Sequence, residues 1–296
     1  MNKVTIYGRF VRDEDFPYIQ KIIDGLEGRG ITISLFEDYF NLIKERVSFQ
    51  VKPNLINTHE ELKSSSECVI SLGGDGTLLN LITLTRDSNI PIAGINLGRL
   101  GFLASISKDK INQIIEEISD LSCKIENKRL IKLNSDKVLF NGINYGINEF
   151  AIHKKDTSSM IVIHTYIDGE FLNSYWADGL IVATPTGSTA YSLSCGGPII
   201  YPGSGCFVIT PVAPHNLNLR PIVVSDDCEI SFRVEGRSDS FLCTLDSRSE
   251  VIDSSFRLSV RKAEFNTRLI RLKEDDYKQT LREKMMWGLD KRNNLY

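Results

Sequence analysis

Residues 68–85 read CVISLGGDGTLLNLITLT, which joins a short apolar run, a glycine-rich turn and a second apolar run. Cys68–Leu72 is typical of a buried strand, and Thr77–Thr85 has the spacing of a helix. The same alternation surrounds this stretch, since Val4–Tyr7 and Ile90–Asn96 also predict strands. Strands that alternate with helices favour a doubly wound, Rossmann-like parallel α/β sheet, whose ligands bind at the carboxyl ends of the strands.

The first third of the chain extends this pattern towards the N-terminus. Apolar residues recur at helical spacing over Asp15–Leu26, and Gly28–Gly30 is expected to end that helix. Ile31–Phe36 then alternates between apolar and polar residues, as a half-buried strand does. We therefore expect strand, helix and strand to follow one another here, as they do around the glycine turn.

The alternation of strand and helix patterns ends near residue 130. From Ser159 onward, short β-rich runs are separated by turn signals. Asp168-Gly169, between Met160–Tyr166 and Phe171–Trp176, predicts a hairpin. Further strands are expected at Cys228–Val234, Phe241–Leu245, Phe256–Val260 and Leu269–Leu272.

These patterns predict two domains. Residues 1–127 with 273–296 are expected to form the α/β domain that carries the glycine turn, and residues 128–272 a mostly β domain. The tail, Glu274–Trp287, is charged and helical in pattern, and we expect it to return to the first domain.

Composition places the chain among folded globular proteins. Of its 296 residues 42% are hydrophobic and 25% charged, which excludes a disordered chain and a small disulfide scaffold. The net charge of −3 offers no general attraction to nucleic acid or anionic lipid, so we expect neither nucleic acid nor a membrane as a partner.

Targeting and metal signals are not seen in the sequence. The N-terminus lacks an apolar segment followed by a cleavage site, which predicts a cytoplasmic protein. The six cysteines form no Cys-x-x-Cys and the four histidines no His-Glu-x-x-His. We therefore expect no metal site made by the protein's own side chains.

The window Gly179–Leu219 stands out because it holds no charged residue, whereas average composition predicts roughly ten. It contains five of the nine prolines, which exclude a membrane helix. Two interpretations remain open. The window is either a buried core segment with loops, or a ligand wall made of backbone amides and hydroxyls.

The turn Gly73–Gly76 also has two interpretations. Glycines at a strand-to-helix turn let a phosphate approach the N–H groups at the helix start. No lysine follows, so it is not a Walker loop, and Asp75 would repel a phosphate unless it accepts a proton or orients a bound group. The alternative, of equal weight from the pattern alone, is a tight turn with Asp75 as helix N-cap.

A series of blocks follows this turn along most of the chain: Gly94–Leu103, Asn148-Glu149, Ala177–Ile181, Thr184–Ser194, Gly196–Pro198, Ala213–Leu217 and Arg220-Pro221. In this order they resemble the NAD kinase family. The glycine turn is shared with phosphofructokinases and with lipid kinases of the diacylglycerol and sphingosine type. The Thr184–Ser194 block is far more specific.

The resemblance implies a kinase that transfers the terminal phosphoryl group of ATP to the 2′-hydroxyl of the adenosine ribose of NAD, giving NADP. Asp75 then corresponds to the general base or hydroxyl-orienting group. ATP would bring a divalent ion, with magnesium expected, and NAD would bind in the 128–272 domain. The resemblance also implies a homodimer or homotetramer.

For the nucleotide site, the resemblance implies Gly73, Gly74, Asp75 and Gly76 at the glycine turn. It places Asn148 and Glu149 at the adenosine and Asp178 at the nicotinamide half of NAD. The other implied binding residues are Thr186, Thr189, Ala190, Tyr191, Ser192, Leu193, Ser194 and Arg248.

Two positions depart from the family pattern. Ser247 replaces a glycine beside Arg248, which puts the geometry of that arginine in doubt. Trp176 stands where relatives carry a basic or other polar side chain, and it could alter the preference between NAD and NADH.

Alternatives from other classes make distinct demands on the sequence. A lipid kinase would want an apolar acceptor groove or a membrane-facing basic patch, and the sequence shows neither. A non-catalytic dinucleotide-binding module could dispense with Asp75, which is retained. A Rossmann dehydrogenase would need a dinucleotide fingerprint at the first strand, and no further glycine follows Tyr7-Gly8-Arg9 there.

Overall fold

The computed structural model describes residues 1–98, 101–155 and 160–285. These residues divide into two compact units. Unit 1 comprises Met1–Glu126 and the segment that begins at Arg268, and unit 2 comprises Asn127–Thr267. In the described ranges no helix is long and apolar enough to cross a membrane.

The helices within these ranges are α1 Phe16–Glu27, α2 Glu37–Ile43, α3 His59–Ser65, α4 Asp75–Thr85, α5 Ile111–Ser119, α6 Tyr191–Ser194 and α7 Tyr277–Met285. Short 3₁₀ turns lie at Asp13–Asp15, Lys108–Lys110, Phe140–Gly142 and Gly187–Thr189. The first strands are β1 Lys3–Gly8, β2 Thr32–Phe36, β3 Asn54–Ile56, β4 Cys68–Leu72, β5 Ile92–Asn96, β6 Ile106–Ser107, β7 Lys124–Ser135, β8 Tyr145–Gly146 and β9 Glu149–Lys154. The later strands are β10 Ile161–Ile167, β11 Glu170–Ala177, β12 Gly179–Ala183, β13 Cys206–Val212, β14 Ile222–Ser225, β15 Ile230–Gly236, β16 Phe241–Leu245, β17 Arg248–Ile252 and β18 Leu258–Arg271.

Unit 1 is built on a parallel sheet with strand order β3-β2-β1-β4-β5. The register pairs Gly8 of β1 with Leu72 of β4. The chain runs from β1 to β2 and β3 on one side, then returns to β4 on the other side of β1. The strand order therefore reverses between β1 and β4, and doubly wound sheets bind ligands at the carboxyl ends of the strands beside such a reversal. The predicted fold of this unit is confirmed.

Apolar patterning explains these elements. β4 is buried along its whole length, as a continuous apolar run predicts for a strand covered on both faces. α1 and α5 each bury one apolar face at helical spacing, formed by Ile19, Ile22, Ile23 and Leu26 and by Ile111, Ile114, Ile115 and Ile118. Gly30 follows α1 with a φ of +68°, which glycine adopts without strain.

Unit 2 contains two antiparallel sheets around one hydrophobic core. One sheet has strand order β14-β13-β12-β9-β16-β17, and the other contains β11, β10, β15 and the first part of β18. Phe150 of β9 and Phe232 of β15 meet in this core, with ring centroids 5.4 Å apart. The predicted hairpin joins β10 to β11, and both turn residues, Asp168 and Gly169, have positive φ.

Several predicted boundaries were wrong. β18 is one strand, Leu258–Arg271, where the sequence predicts two, because pairing with β7 keeps the polar middle of this segment extended. α4 begins at Asp75 rather than Thr77, and the tail helix is Tyr277–Met285. The predicted helix residues 286 and 287 and the predicted start of the β-rich region at Ser159 lie outside the described residues.

Candidate active site

The glycine turn joins β4 to α4 and leaves backbone N–H groups open. Gly73 has a φ of +145°, and a Cβ there would lie 2.5 Å from the Thr77 hydroxyl oxygen, so only glycine fits. Within the described residues, the N–H groups of Gly74, Asp75 and Gly76 meet no hydrogen-bond acceptor. A Cβ on Gly76 would meet no atom within 4 Å. Such open N–H groups at a helix start form the kind of surface that binds phosphate.

The Asp75 carboxylate is held by the backbone of a following loop. Oδ2 accepts a hydrogen bond from the N–H of Phe102 at 2.9 Å. Oδ1 accepts from Leu103 at 3.1 Å and from Ala104 at 2.8 Å. The N-cap of α4 is Gly74, so the interpretation of Asp75 as a simple helix cap is wrong. The structure instead presents a carboxylate of fixed orientation at the first residue of α4.

The loop that holds Asp75 is fixed in turn by Arg271, the last residue of β18. Its guanidinium donates to the carbonyl oxygens of Phe102 at 3.2 Å and Leu103 at 3.0 Å, and to the Ser105 hydroxyl. It also pairs with Glu126 at 3.0 Å. Sequence reasoning missed Arg271, because 168 residues separate it from Leu103 and no local pattern marks the contact.

Gly101 lies directly against Asp75, and replacing it tests this geometry. A Cβ at Gly101 would overlap the Asp75 carboxylate. We expect Gly101→Ala to turn that carboxylate away and to lower turnover about tenfold or more, since small misplacements of reacting groups are costly. Gly98→Ala is the matched control, because its Cβ would make only ordinary contacts, with Arg12 at 3.6 Å and Asn96 at 3.8 Å. Equal turnover of the two variants would contradict a role for the orientation of the Asp75 carboxylate.

The block Gly94–Leu103 continues from β5 beside the glycine turn. Asn96 accepts a hydrogen bond from the N–H of Gly98 at 2.8 Å, and Arg12 donates to the Leu97 carbonyl at 3.1 Å. Arg12 is also paired with Asp15 at 2.9 Å. Residues Arg99 and Leu100 of this block lie outside the described residues.

In unit 2, Asn148 directly precedes β9 and Glu149 is the first residue of that strand. Asp246 holds the backbone of both residues. Asp246 is half-buried, and its carboxylate accepts hydrogen bonds from the N–H groups of Ile147 at 2.9 Å, Asn148 at 2.8 Å and Glu149 at 3.2 Å. Asp246 lies in the turn between β16 and β17 with a φ of +53°. Sequence reasoning missed this role of Asp246.

Glu149 is a half-buried residue with one carboxyl oxygen in the protein interior. Its Oε2 is buried and has no hydrogen-bond partner among the described residues. Burial, and to a lesser degree the nearby Asp246 carboxylate, raise the pKa of Glu149 to about 8. A buried oxygen with an unused bonding position is suited to accept a hydroxyl group of a ligand.

Glu149→Gln should remove a pH dependence of stability in the ligand-free protein. Below pH 4.5 the carboxyl is protonated in both the folded and unfolded states, so it has no effect. Between 4.5 and about 8 it ionises only in the unfolded chain, so the free energy of unfolding falls by about 1.4 kcal/mol per pH unit. Above about pH 8 the loss is complete.

Urea unfolding at pH 5, 6, 7 and 8 measures this effect. The wild type should lose stability relative to Glu149→Gln as the pH rises. The exposed Glu170→Gln is the control and should follow the wild type. A wild-type profile parallel to that of Glu149→Gln would contradict the raised pKa.

The Thr184–Ser194 segment packs onto the backbone of Asn148. The Thr184 N–H donates to the Asn148 carbonyl at 2.8 Å, and its hydroxyl donates to the Ile147 carbonyl at 2.5 Å. A Cβ at Gly187 would overlap the Asn148 carbonyl, so glycine is required there. The structure thus brings together two blocks that the sequence singled out separately.

Within this segment, the two buried serines serve the fold. The Ser188 hydroxyl donates to the Pro185 carbonyl at 2.7 Å and accepts from Ile200 at 2.9 Å. The Ser192 hydroxyl bonds to that of Thr210 at 2.9 Å. The other predicted binding residues keep exposed surface: Thr186, Thr189, Ala190, Tyr191, Leu193 and Ser194. β12, at the start of the uncharged window, is fully buried, so the core interpretation is confirmed there.

Tyr191 and Asp178 lie near His153 of β9. The Tyr191 side chain is 43% exposed, and its ring lies 5.7 Å from the His153 ring. Asp178 pairs with Lys154 at 2.6 Å. Burial lowers the pKa of His153, which the charge of Asp178 only partly opposes. The aromatic ring, the imidazole and the neutralised carboxylate form a surface with little net charge.

The Arg248 side chain bonds to the protein backbone. Its guanidinium donates to the backbone carbonyls of Ile143 and Tyr145, and lies 5.4 Å from the centroid of the Phe140 ring. Burial lowers its pKa, although the Asp246 charge opposes this. At least part of the hydrogen-bonding capacity of Arg248 therefore supports the backbone before Asn148.

Open N–H groups beside a fixed carboxylate, as in unit 1, are typical of a phosphotransferase. The neutral, hydroxyl-rich surface in unit 2 is suited to a nucleotide. The family model of the ATP-NAD kinase N-terminal domain matches residues 30–122, and that of the C-terminal domain matches residues 147–272. The NAD kinase of Cytophaga hutchinsonii is 46% identical over 296 residues, covering 98% of this chain and 99% of the relative. That of Flavobacterium psychrophilum is 42% identical over 293 residues, covering 98% and 100%.

Two solved structures share the fold. The yeast NADH kinase complexed with NADH matches with a TM-score of 0.88 at 21% identity, covering 98% of this chain and 89% of that one. An NAD kinase from Archaeoglobus fulgidus in complex with ATP matches with a TM-score of 0.71 at 23% identity, covering 91% and 94%. The chain belongs to the NAD kinase family, and it is an enzyme that phosphorylates NAD.

Proposed function

We propose that this enzyme transfers the terminal phosphoryl group of ATP to the 2′-hydroxyl of the adenosine ribose of NAD, with Asp75 at the reacting hydroxyl. The observation that carries the proposal is the position of the Asp75 carboxylate, beside the open N–H groups of Gly74 and Gly76. One turn thus offers an acceptor for a hydroxyl proton and donors for phosphate oxygens. Phosphoryl transfer to an alcohol needs both.

In the proposed step, the 2′-oxygen forms a bond to the terminal phosphorus. The bond between that phosphorus and the bridging oxygen breaks, and ADP leaves with the electron pair. The hydroxyl proton passes to Asp75. Since both Asp75 oxygens already accept N–H bonds, the side chain is pre-oriented to hold the hydroxyl in line and to receive its proton.

For NAD, we propose that Glu149 accepts hydrogen bonds from ribose hydroxyls and that Asn148 contacts the adenine edge. The buried, unpartnered Oε2 of Glu149 supports the first assignment. Tyr191 is proposed as the aromatic wall of the adenosine pocket, and Asp178 as a contact of the nicotinamide half. Ser192 is proposed as a buried support of this pocket. Arg248 is proposed to contribute those guanidinium N–H groups that do not bond to backbone carbonyls. The proposed lining is completed by Thr186, Thr189, Ala190, Leu193 and Ser194.

Magnesium is proposed to enter as part of the ATP complex. Among the described residues, no group of three or more His, Cys, Asp or Glu could hold a metal ion. Magnesium in kinases is bound largely by substrate phosphates and water, where it neutralises phosphate charge. We also propose a homodimer or homotetramer, supported by exposed apolar residues of unit 2: Trp176, Tyr201, Leu217, Ile222 and Val223.

Product analysis tests this function. Incubation with NAD, ATP and Mg²⁺ is expected to yield ADP and a product that an NADP-specific dehydrogenase reduces. Phosphorus NMR should show a monoester on the 2′-hydroxyl. Unchanged NAD with ATP, other triphosphates and polyphosphate, or a monoester on another hydroxyl, would overturn the proposal.

A further inference from the structure

A cavity of about 350 Å³ lies in unit 1 at the carboxyl ends of the parallel strands. It reaches from Tyr7 at the end of β1, past Phe36 at the end of β2, to Asn57 after β3, and Asn80 and Leu84 of α4 form its opposite wall. This is the edge at which a doubly wound sheet binds ligands. None of the candidate binding residues named from the sequence lines this cavity.

The cavity is adjacent to the glycine turn. Gly8, which lines it, pairs with Leu72, and Leu72 directly precedes Gly73. Asn80 stands one helical turn beyond Gly76, about 6 Å along the axis of α4. A ligand seated in the cavity can therefore extend along α4 to the open N–H groups at its start.

The lining has the chemistry of a nucleoside site. Tyr7 and Phe36 form an aromatic floor, with ring centroids 5.1 Å apart in an edge-to-face arrangement. Leu84 adds an apolar wall. Small-molecule pockets combine such surfaces with a few polar groups and have volumes of about 300–1,000 Å³. A purine nucleoside suits the lower end of that range.

The polar groups of the cavity have bonding capacity to spare. Tyr7 is only 8% exposed, and its hydroxyl has no hydrogen-bond partner within the described residues. In the same ranges, the Asn80 amide and the Arg9 guanidinium make no hydrogen bond or ion pair. An amide can donate to and accept from a base edge, and a guanidinium at the rim suits a phosphate. Asp38, also at the rim, can accept ribose hydroxyls.

We propose that this cavity binds the base and ribose of the triphosphate donor, with Asn80 on the base edge and Arg9 towards the phosphates. The assignment rests on the proposed function, because it supplies the donor for that reaction. It makes unit 1 sufficient to hold the donor, from the base in the cavity to the terminal phosphate at Gly74–Gly76. It also makes the donor preference a property of Asn80 and Tyr7.

Kinetics of Asn80→Ala test the assignment. Loss of the amide should raise the KM for ATP about tenfold, which corresponds to about 1.4 kcal/mol, with the KM for NAD within about twofold of wild type. Asn41→Ala is the matched control: it lies on α2, outside the cavity, and should leave both values unchanged. An unchanged KM for ATP, or an equal rise in the KM for NAD, overturns the proposal.

A second variant tests binding without turnover. Leu84→Trp fills the cavity and should abolish ADP binding in calorimetry, while inorganic tripolyphosphate, which has no base, should bind as it does to wild type. If Leu84→Trp does not fold, titration of Asn80→Ala with ADP decides. Wild-type ADP affinity in the folded variants overturns the cavity assignment. The proposed function fails separately, if the wild type forms no NADP from ATP.

Discussion

Asp75→Asn is expected to lower the turnover number for NADP formation by about 100-fold or more, while NAD still binds with near wild-type affinity. Asparagine keeps the shape of the side chain, and its oxygen can still accept the N–H bonds of Leu103 and Ala104. It cannot accept the proton of the ribose hydroxyl, and its amide group would face the N–H of Phe102. Steady-state kinetics and calorimetric titration with NAD measure the two effects.

The control for this variant is Asp109→Asn. Asp109 is an exposed aspartate of the same unit, in the 3₁₀ turn before α5, and it has no proposed part in the reaction. It should behave as wild type in turnover and in thermal unfolding. Near wild-type turnover of Asp75→Asn would remove Asp75 from the reaction. A loss of NAD affinity as large as the loss of turnover would make Asp75 a binding residue instead.

Asp246→Asn is expected to raise the KM for NAD at least about tenfold and to lower the free energy of unfolding by about 2–4 kcal/mol. The carboxylate accepts N–H bonds from Ile147, Asn148 and Glu149, and an amide group cannot satisfy all three. The backbone of Asn148 and Glu149 should then shift. The KM for ATP should stay within about twofold, because the donor cavity lies in unit 1.

The backbone conformation does not confound this test, because asparagine tolerates the φ of +53° at position 246. Asp168→Asn is a matched control. Asp168 also lies in a hairpin turn, with a φ of +50°, and accepts one N–H bond, from Glu229 at 2.9 Å. It should leave the KM for NAD unchanged. Equal effects of the two variants on that KM would show that Asp246 does not position the nucleoside residues.

The sequence predicted those parts of the site that depend on local chemistry. The glycines of the turn and the strand before them follow from steric and burial rules that act over a few residues.

The supporting contacts could not be predicted in this way. Arg271 reaches the loop of Phe102 across 169 residues, and Asp246 reaches Asn148 across 98. Such contacts depend on how strands are ordered and registered, which a single sequence does not specify. The cavity beside α4 was missed for the same reason, because its walls come from β1, β2, β3 and α4 and share no motif.

The single strand β18 also sets an order of events during synthesis. Its first part pairs with β15 in unit 2, and its last residues pair with β5 in unit 1. Unit 2 is continuous in sequence and can leave the ribosome whole, whereas unit 1 must wait for the segment that begins at Arg268. Until then β5 lacks the pairing partner that β18 provides, and the loop around Asp75 lacks its arginine anchor. A nascent or C-terminally truncated chain would therefore have a folded β-rich unit before it has an ordered phosphoryl-transfer turn.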